Sequence, residues 1–287
     1  MKRLKLIPLA LLLSLALAVS AHALTIDYAY VGSHDYDSLG QGVYDAIGEQ
    51  VWMFTHASVG GNILAGMDSL HSSDPNKYQL TTPYVSSTTP TVPTIPVPGS
   101  VYDINRGNPG PSAKYAYFET VTTTGGWGAA TDFVMDKLCY IDEDADVNEY
   151  FQTIEDILGA NPSAKVVLTT MPLTTGENSD NVLRNQYNDE VRSYAASHNM
   201  LLFDIADLEA HDADGNPITF ESGGTVYQKL FSGWSSDGGH LSTAGRVWVA
   251  QGWYAMAASQ ATPIPGAAWL LGTGLVGLVG LRRRFWG

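Results

Sequence analysis

The sequence predicts an α/β protein, a three-layer α/β/α sandwich around a mostly parallel sheet of about five strands. Two observations predict it. Short apolar runs alternate with longer amphipathic stretches, the pattern of strands buried on both faces and of the helices that cover them. Ser58, Asn108, Asp142 and Met171 each fall just after a strand-like run, and open α/β sheets gather ligands beyond the carboxyl ends of their strands.

Taken in order, the expected strands lie near Val51–Thr55, Val101–Asn105, Phe133–Leu138, Lys165–Thr170 and Leu201–Asp204. Helices fit near Gly61–Leu70, Ser112–Thr123, Val147–Leu158, Asp180–Ser197 and Ser242–Ala258. Ser242 has the hydroxyl that caps a helix start, and Asn199 tolerates the left-handed conformation that ends one. Between the first two units, residues 81–98 are rich in Pro and Thr. Proline at that density cannot sustain a helix, so an extended surface insertion is expected, either a groove wall for a long substrate or a loop without a role.

The ends of the chain speak of address rather than fold. Met1-Lys-Arg-Leu-Lys5, an apolar stretch through Val19 and Ala21-His-Ala23 have the layout of a secretory signal, placing the mature start near Leu24. At the other end Thr262-Pro-Ile-Pro265 precedes an apolar run from Gly266 to Leu281 and then Arg282, Arg283 and Arg284. That run is short for a permanent span, which takes roughly twenty residues. The three arginines would hold the C-terminus on the cytoplasmic side. The expected organisation is therefore a signal peptide over 1–23, one domain over 24–260 and a tail over 261–287.

Charge narrows the partners. The chain has 15 basic and 29 acidic residues; the two ends hold six of the basic ones and no acidic ones, so the domain carries a formal charge of −20. Nucleic acid, which needs clustered Lys and Arg, is excluded as an expected partner. The single cysteine, Cys139, rules out an intramolecular disulfide, and its place at the end of an apolar strand favours a buried structural thiol.

Two segments carry chemistry. Thr55-His-Ala-Ser-Val-Gly-Gly61 puts Ser58 on the turn from the first strand into the first helix, and Asp237-Gly-Gly-His240 lies just before the last helix. A serine hydroxyl needs an imidazole to take its proton and a carboxylate to hold that imidazole in the right tautomer. Ser58, His240 and Asp237 are the candidate nucleophile, base and orienting acid, and N–H groups at the helix start can stabilise an oxyanion. No metal or cofactor is required.

With His56-Ala-Ser-Val-Gly60, Asn105-Arg-Gly-Asn-Pro-Gly110, Leu138-Cys-Tyr-Ile-Asp142 and Asp237-Gly-Gly-His240 in this order, the chain resembles the SGNH (GDSL-type) hydrolases over residues 45 to 255. It is most similar to a branch in which His-x-Ser-Val-Gly replaces Gly-Asp-Ser. The resemblance implies a flavodoxin-like sandwich and an esterase acting through an acyl-enzyme. It also implies oxyanion donors from the Ser58 N–H and Gly107. The usual asparagine of the third segment is replaced by Ile141, which cannot donate; Asn108 is the candidate replacement, its bland alternative being a turn residue. The tail resembles PEP-CTERM sorting signals of Gram-negative bacteria that make extracellular polysaccharide. That implies export, passing membrane association and a surface or extracellular location, with an ester, an acetylated glycan foremost, as substrate. The competing expectation is a catalytically inactive relative that binds glycan or matrix.

His56 and Asp142 are further pocket candidates. Each has a structural alternative: packing for His56, and for Asp142 the acidic first turn of the next helix. Asp212-Ala-Asp-Gly-Asn216 misses the calcium-loop spacing and reads as a hairpin turn.

Overall fold

The structure, a computed structural model, describes residues 23–261. The expected signal segment and tail lie outside the described residues. Within them, β2 (Val51–His56) is buried along its whole length, as a central strand covered on both faces must be. Trp52 and Phe54 point into one apolar layer, Val51 and Met53 into the other. Strand alternation thus divides one apolar run between two cores.

Six parallel strands stand in the order β1-β6-β5-β4-β2-β3. Besides β2 they are β1 (Leu24–Ile26), β3 (Ser100–Asn105), β4 (Phe133–Asp136), β5 (Lys165–Thr169) and β6 (Leu201–Phe203). The helices, in chain order, are α1 (Tyr28–Ser33), α2 (Gln41–Gly48), α3 (Val59–Ser73), α4 (Pro111–Thr122), α5 (Trp127–Ala130), α6 (Val147–Ala160), α7 (Ser179–His198), α8 (Ile205–Glu209) and α9 (Thr243–Gln260). Those from α4 to α7 cover one face of the sheet and the others the opposite face. From β2 the chain runs outward to β3, whereas from β4, the other neighbour of β2, it runs the opposite way to β5. The crevice of such a sheet opens where the winding reverses, beyond the carboxyl ends of β2 and β4.

The three-layer sandwich is as expected, and the five expected strands and five expected helices appear within a few residues of their bounds. The sheet has a sixth strand, β1. Three residues are too few to show periodicity; Leu24–Ile26 is a strand because it pairs with Leu201–Phe203. A separate antiparallel hairpin, β7 (Thr219–Ser222) and β8 (Thr225–Gln228), and the short helices α1, α2, α5 and α8 were likewise beyond the sequence pattern. Ser242 caps α9, and Asn199 ends α7 at φ 53° and ψ 41°.

The Pro/Thr-rich insertion begins as an extension of the sheet edge, with Thr81 and Tyr84 bridging Ser100 and Asp103 of β3. Its later part is tied down by the Tyr117 hydroxyl on the Ser87 carbonyl and the Trp127 indole on that of Pro90. The Asp212 segment closes as a turn: the Asp212 carboxylate accepts the N–H groups of Asp214 and Asn216, and His211 bridges Pro217. Among the described residues no helix is long and apolar enough to cross a membrane.

Candidate active site

Ser58 is the hinge between β2 and α3. Its backbone sits at φ 53° and ψ −113°, strained for a side chain with a Cβ. Such strain persists only where the surroundings enforce it, and here they do. Gly60 follows because a Cβ at that position would come within 2.5 Å of the His56 Cβ. The turn then presents the half-buried Ser58 hydroxyl at the crevice. Among the described residues the Ser58 N–H makes no intramolecular hydrogen bond, so it is available at the start of a helix.

The candidate base lies near the other end of the chain. His240 Nε2 lies 2.7 Å from Ser58 Oγ, and His240 Nδ1 lies 2.7 Å from Asp237 Oδ2. The second carboxylate oxygen accepts the N–H groups of His240 and Gly239, at 2.8 and 3.0 Å. Those backbone donors, then the imidazole, pull the Asp237 carboxyl down to about 2. Asp237 is therefore charged near neutral pH, which fixes the Nδ1–H tautomer and leaves Nε2 free to accept from Ser58. Asn62 of α3 accepts the Leu241 N–H at 3.0 Å and ties the two loops together. The Tyr140 ring stands edge-on to His240 and leaves no room for a Cβ at Gly239, which would meet it at 2.6 Å. The site is open: the side chains of His240 and Asp237 are 35% and 54% exposed.

The loop after β3 forms the facing wall. Arg106, buried, makes a two-pronged pair with Asp136 at 2.9 Å and donates its backbone N–H to the His56 carbonyl. Gly107 follows at φ 74°; its N–H is occupied by the Asn105 carboxamide at 3.1 Å, so as an oxyanion donor it must first give up that partner. Asn108 is exposed, and its Oδ1 accepts from Lys114 Nζ at 3.2 Å and from Cys139 Sγ at 2.9 Å. Cys139 is buried and also approaches the Ala57 carbonyl at 3.6 Å.

Two pocket candidates turn inward instead. His56 is 1% exposed, stacks on Phe54 and donates its Nε2–H to the Asp103 carboxylate at 2.7 Å; it lies beneath the serine turn, not in an open pocket. Burial lowers its basicity. Asp142, also buried, pairs with Lys114 at 2.5 Å and accepts the Cys139 N–H at 2.7 Å. It is not part of the first turn of α6, which Asp146 caps. Met171 is a core residue. Sequence reasoning overlooked Lys114, Asp103, Arg106 and Tyr140. The available signal was a charged residue inside an apolar pattern, Asp103 between Tyr102 and Ile104 and Lys114 beside Tyr115. An 830 Å³ cavity lined by Asp45, Asp132 and Lys165, among others, opens at the opposite end of β4 and β5 and holds none of the site residues.

No family model matches the chain, and no curated protein matches it. Among solved structures it is similar to a protein described as lipolytic and of the G-D-S-L family from Desulfitobacterium hafniense. The two are 12% identical with a TM-score of 0.44, over 72% of this chain and 99% of that one. A GDSL-like lipase from Bacteroides thetaiotaomicron is also 12% identical, with a TM-score of 0.42, over 81% of this chain and 94% of that one. At such identities and scores, any activity must be argued from the site's own geometry.

Proposed function

We propose that the protein is an exported serine esterase working through an acyl-enzyme on esters of an extracellular polymer, an O-acetylated glycan foremost. The observation that carries the reading is the continuous relay from Ser58 Oγ through His240 to Asp237, closed by two contacts of 2.7 Å on a strained strand-to-helix turn. Ser58 Oγ attacks the ester carbonyl carbon while its proton passes to His240 Nε2. The carbonyl oxygen becomes an oxyanion facing the Ser58 N–H, Asn108 and, once released from Asn105, the Gly107 N–H. Collapse expels the alcohol, which takes the proton from His240. A water then attacks the acyl-enzyme and gives a proton to His240; collapse releases the acid, and Ser58 Oγ takes that proton back from His240.

An open, solvated relay suits an ester displayed on a polymer better than a long acyl chain, which would need a deep apolar pocket to leave water. The expected signal segment and sorting tail supply the motive for an extracellular substrate, and the domain's strong negative charge favours a neutral glycan over an acidic one.

The test is labelling of the full chain with a fluorophosphonate, the adduct mapped by mass spectrometry and compared with Ser58→Ala and His240→Ala. An adduct on Ser58 that requires His240 is expected. No adduct, under conditions that label a control esterase, would overturn the reading in favour of a surface protein that binds glycan without cleaving it. Ile141, standing where a donor was expected, is the feature that motivates that second outcome.

A further inference from the structure

We propose that Lys114 is a positioning residue of the esterase reaction: paired with Asp142 in the core, it holds the Asn108 carboxamide with its N–H groups turned to the oxyanion. The inference rests on the serine-esterase reading above. It starts from a side chain that packing alone does not explain. Lys114 lies on α4 and is fully buried. A buried ion pair is weak evidence for stability, because desolvation offsets most of the attraction, so the pair calls for another account of its presence.

The contacts supply one. Lys114 Nζ donates to Asp142 Oδ2 and to Asn108 Oδ1, and Cys139 Sγ donates to the same Asn108 oxygen. An ammonium has three donors and no acceptor. Only the oxygen end of the carboxamide can therefore face it, and the orientation of Asn108 follows from chemistry. The Nδ2 group is left on the exposed side, where it makes no intramolecular hydrogen bond among the described residues. The Cys139 sulfur, whose one proton goes to this amide oxygen, also lies 3.6 Å from the carbonyl oxygen of Ala57, the residue before Ser58, and so places the amide beside the serine turn. A positive charge on the amide oxygen also polarises the N–H bonds and strengthens them as donors to a developing anion. The missing asparagine of the β4 loop is thereby replaced from the β3 loop, and the β4 loop contributes the thiol and carboxylate that hold the replacement in place.

The experiment measures Ser58-dependent hydrolysis of p-nitrophenyl acetate by the full chain, with thermal melting as the check on folding. Asn108→Asp keeps two acceptors for Lys114 but removes the donor and adds a charge; a loss in kcat of about 10²–10³ with KM within threefold is expected. The double substitution Lys114→Met with Asp142→Leu removes both buried charges together. It is expected to lower kcat about 10- to 100-fold, and by less than threefold once Asn108 is already alanine. Asn108→Asp retaining kcat within threefold, or a folded Lys114/Asp142 double variant as active as wild type, would overturn the proposal while leaving the esterase reading intact. Absence of any Ser58-dependent activity in the wild type would overturn that reading, and this inference with it.

Discussion

Two histidine–carboxylate pairs flank Ser58, the candidate nucleophile, and they share a contact distance but little else. His240 with Asp237 and His56 with Asp103 are each closed by a contact of 2.7 Å. The first pair is made within one turn of chain, is partly exposed, and turns its free nitrogen onto the Ser58 hydroxyl. The second is made between neighbouring strands, and its histidine is buried with Nδ1 unpartnered against Gly60. A histidine–aspartate contact is therefore not in itself a sign of catalysis. What decides is where the other nitrogen points, and whether a proton can reach it.

The comparison is broken most directly by exchanging which histidine is lost. His240→Ala is expected to lower kcat/KM on p-nitrophenyl acetate on the order of 10⁴-fold or more, whereas His56→Phe should leave labelling of Ser58 within about threefold per folded molecule. A strong loss in His56→Phe with an unchanged melting curve would make both histidines functional. Next in size is Asp237→Asn, which offers an amide where Nδ1–H needs an acceptor; a loss of roughly 10²–10⁴ in kcat is expected, with folding retained. The pH profile sharpens the same contrast. Because its hydrogen bonds pull the Asp237 carboxyl down to about 2, Asp237 should add no proton to the acid limb of kcat/KM between pH 4 and 7, and a two-proton slope there would count against the assignment.

The smallest effect concerns stability. His56→Phe should cost about 1–3 kcal/mol in a denaturant titration, through the partner lost to Asp103. The pH sign is set by burial, which lowers the folded pKa of His56 below its ordinary value near 6.5. Below about pH 6.5 the unfolded chain takes up a proton that the folded ring resists, so stability is lost as pH falls from there toward the lowered folded pKa. The variant should lose that increment of acid sensitivity; an acid dependence equal to wild type would show that His56 is not its source.

Much of this was legible in the sequence, for physical reasons. Strands with two buried faces betray themselves by unbroken apolar runs, and Asp237-Gly-Gly-His240 is a local motif in which Asp237 binds the Gly239 and His240 N–H groups and the His240 ring. Ser58 was legible because a small residue followed by Gly60 and Gly61 marks a tight strand-to-helix turn. The oxyanion wall was not. Asp142 binds a lysine 28 residues away and Asn108 a cysteine 31 residues away, contacts that exist only once α4 has docked across the β4 loop. The Gly107 N–H was expected to be free, but Asn105, two residues earlier, accepts it. β1 was invisible for a related reason, since its pairing with β6 is the whole of its identity.

Finally, the backbones of α3 and α9 nearly touch: a Cβ on Gly66 would fall 2.1 Å from the Arg246 carbonyl oxygen. This contact joins the helix that begins at Ser58 to the helix that follows His240, across a separation of 182 residues between the two hydrogen-bonded side chains. A chain emerging from its N-terminus carries the serine long before it carries the base. Until the final helix seats against Gly66, Ser58 has no imidazole beside it. Under the proposed esterase reading, reactivity waits for the last helix, and an unfinished copy of the chain is harmless to the esters around it.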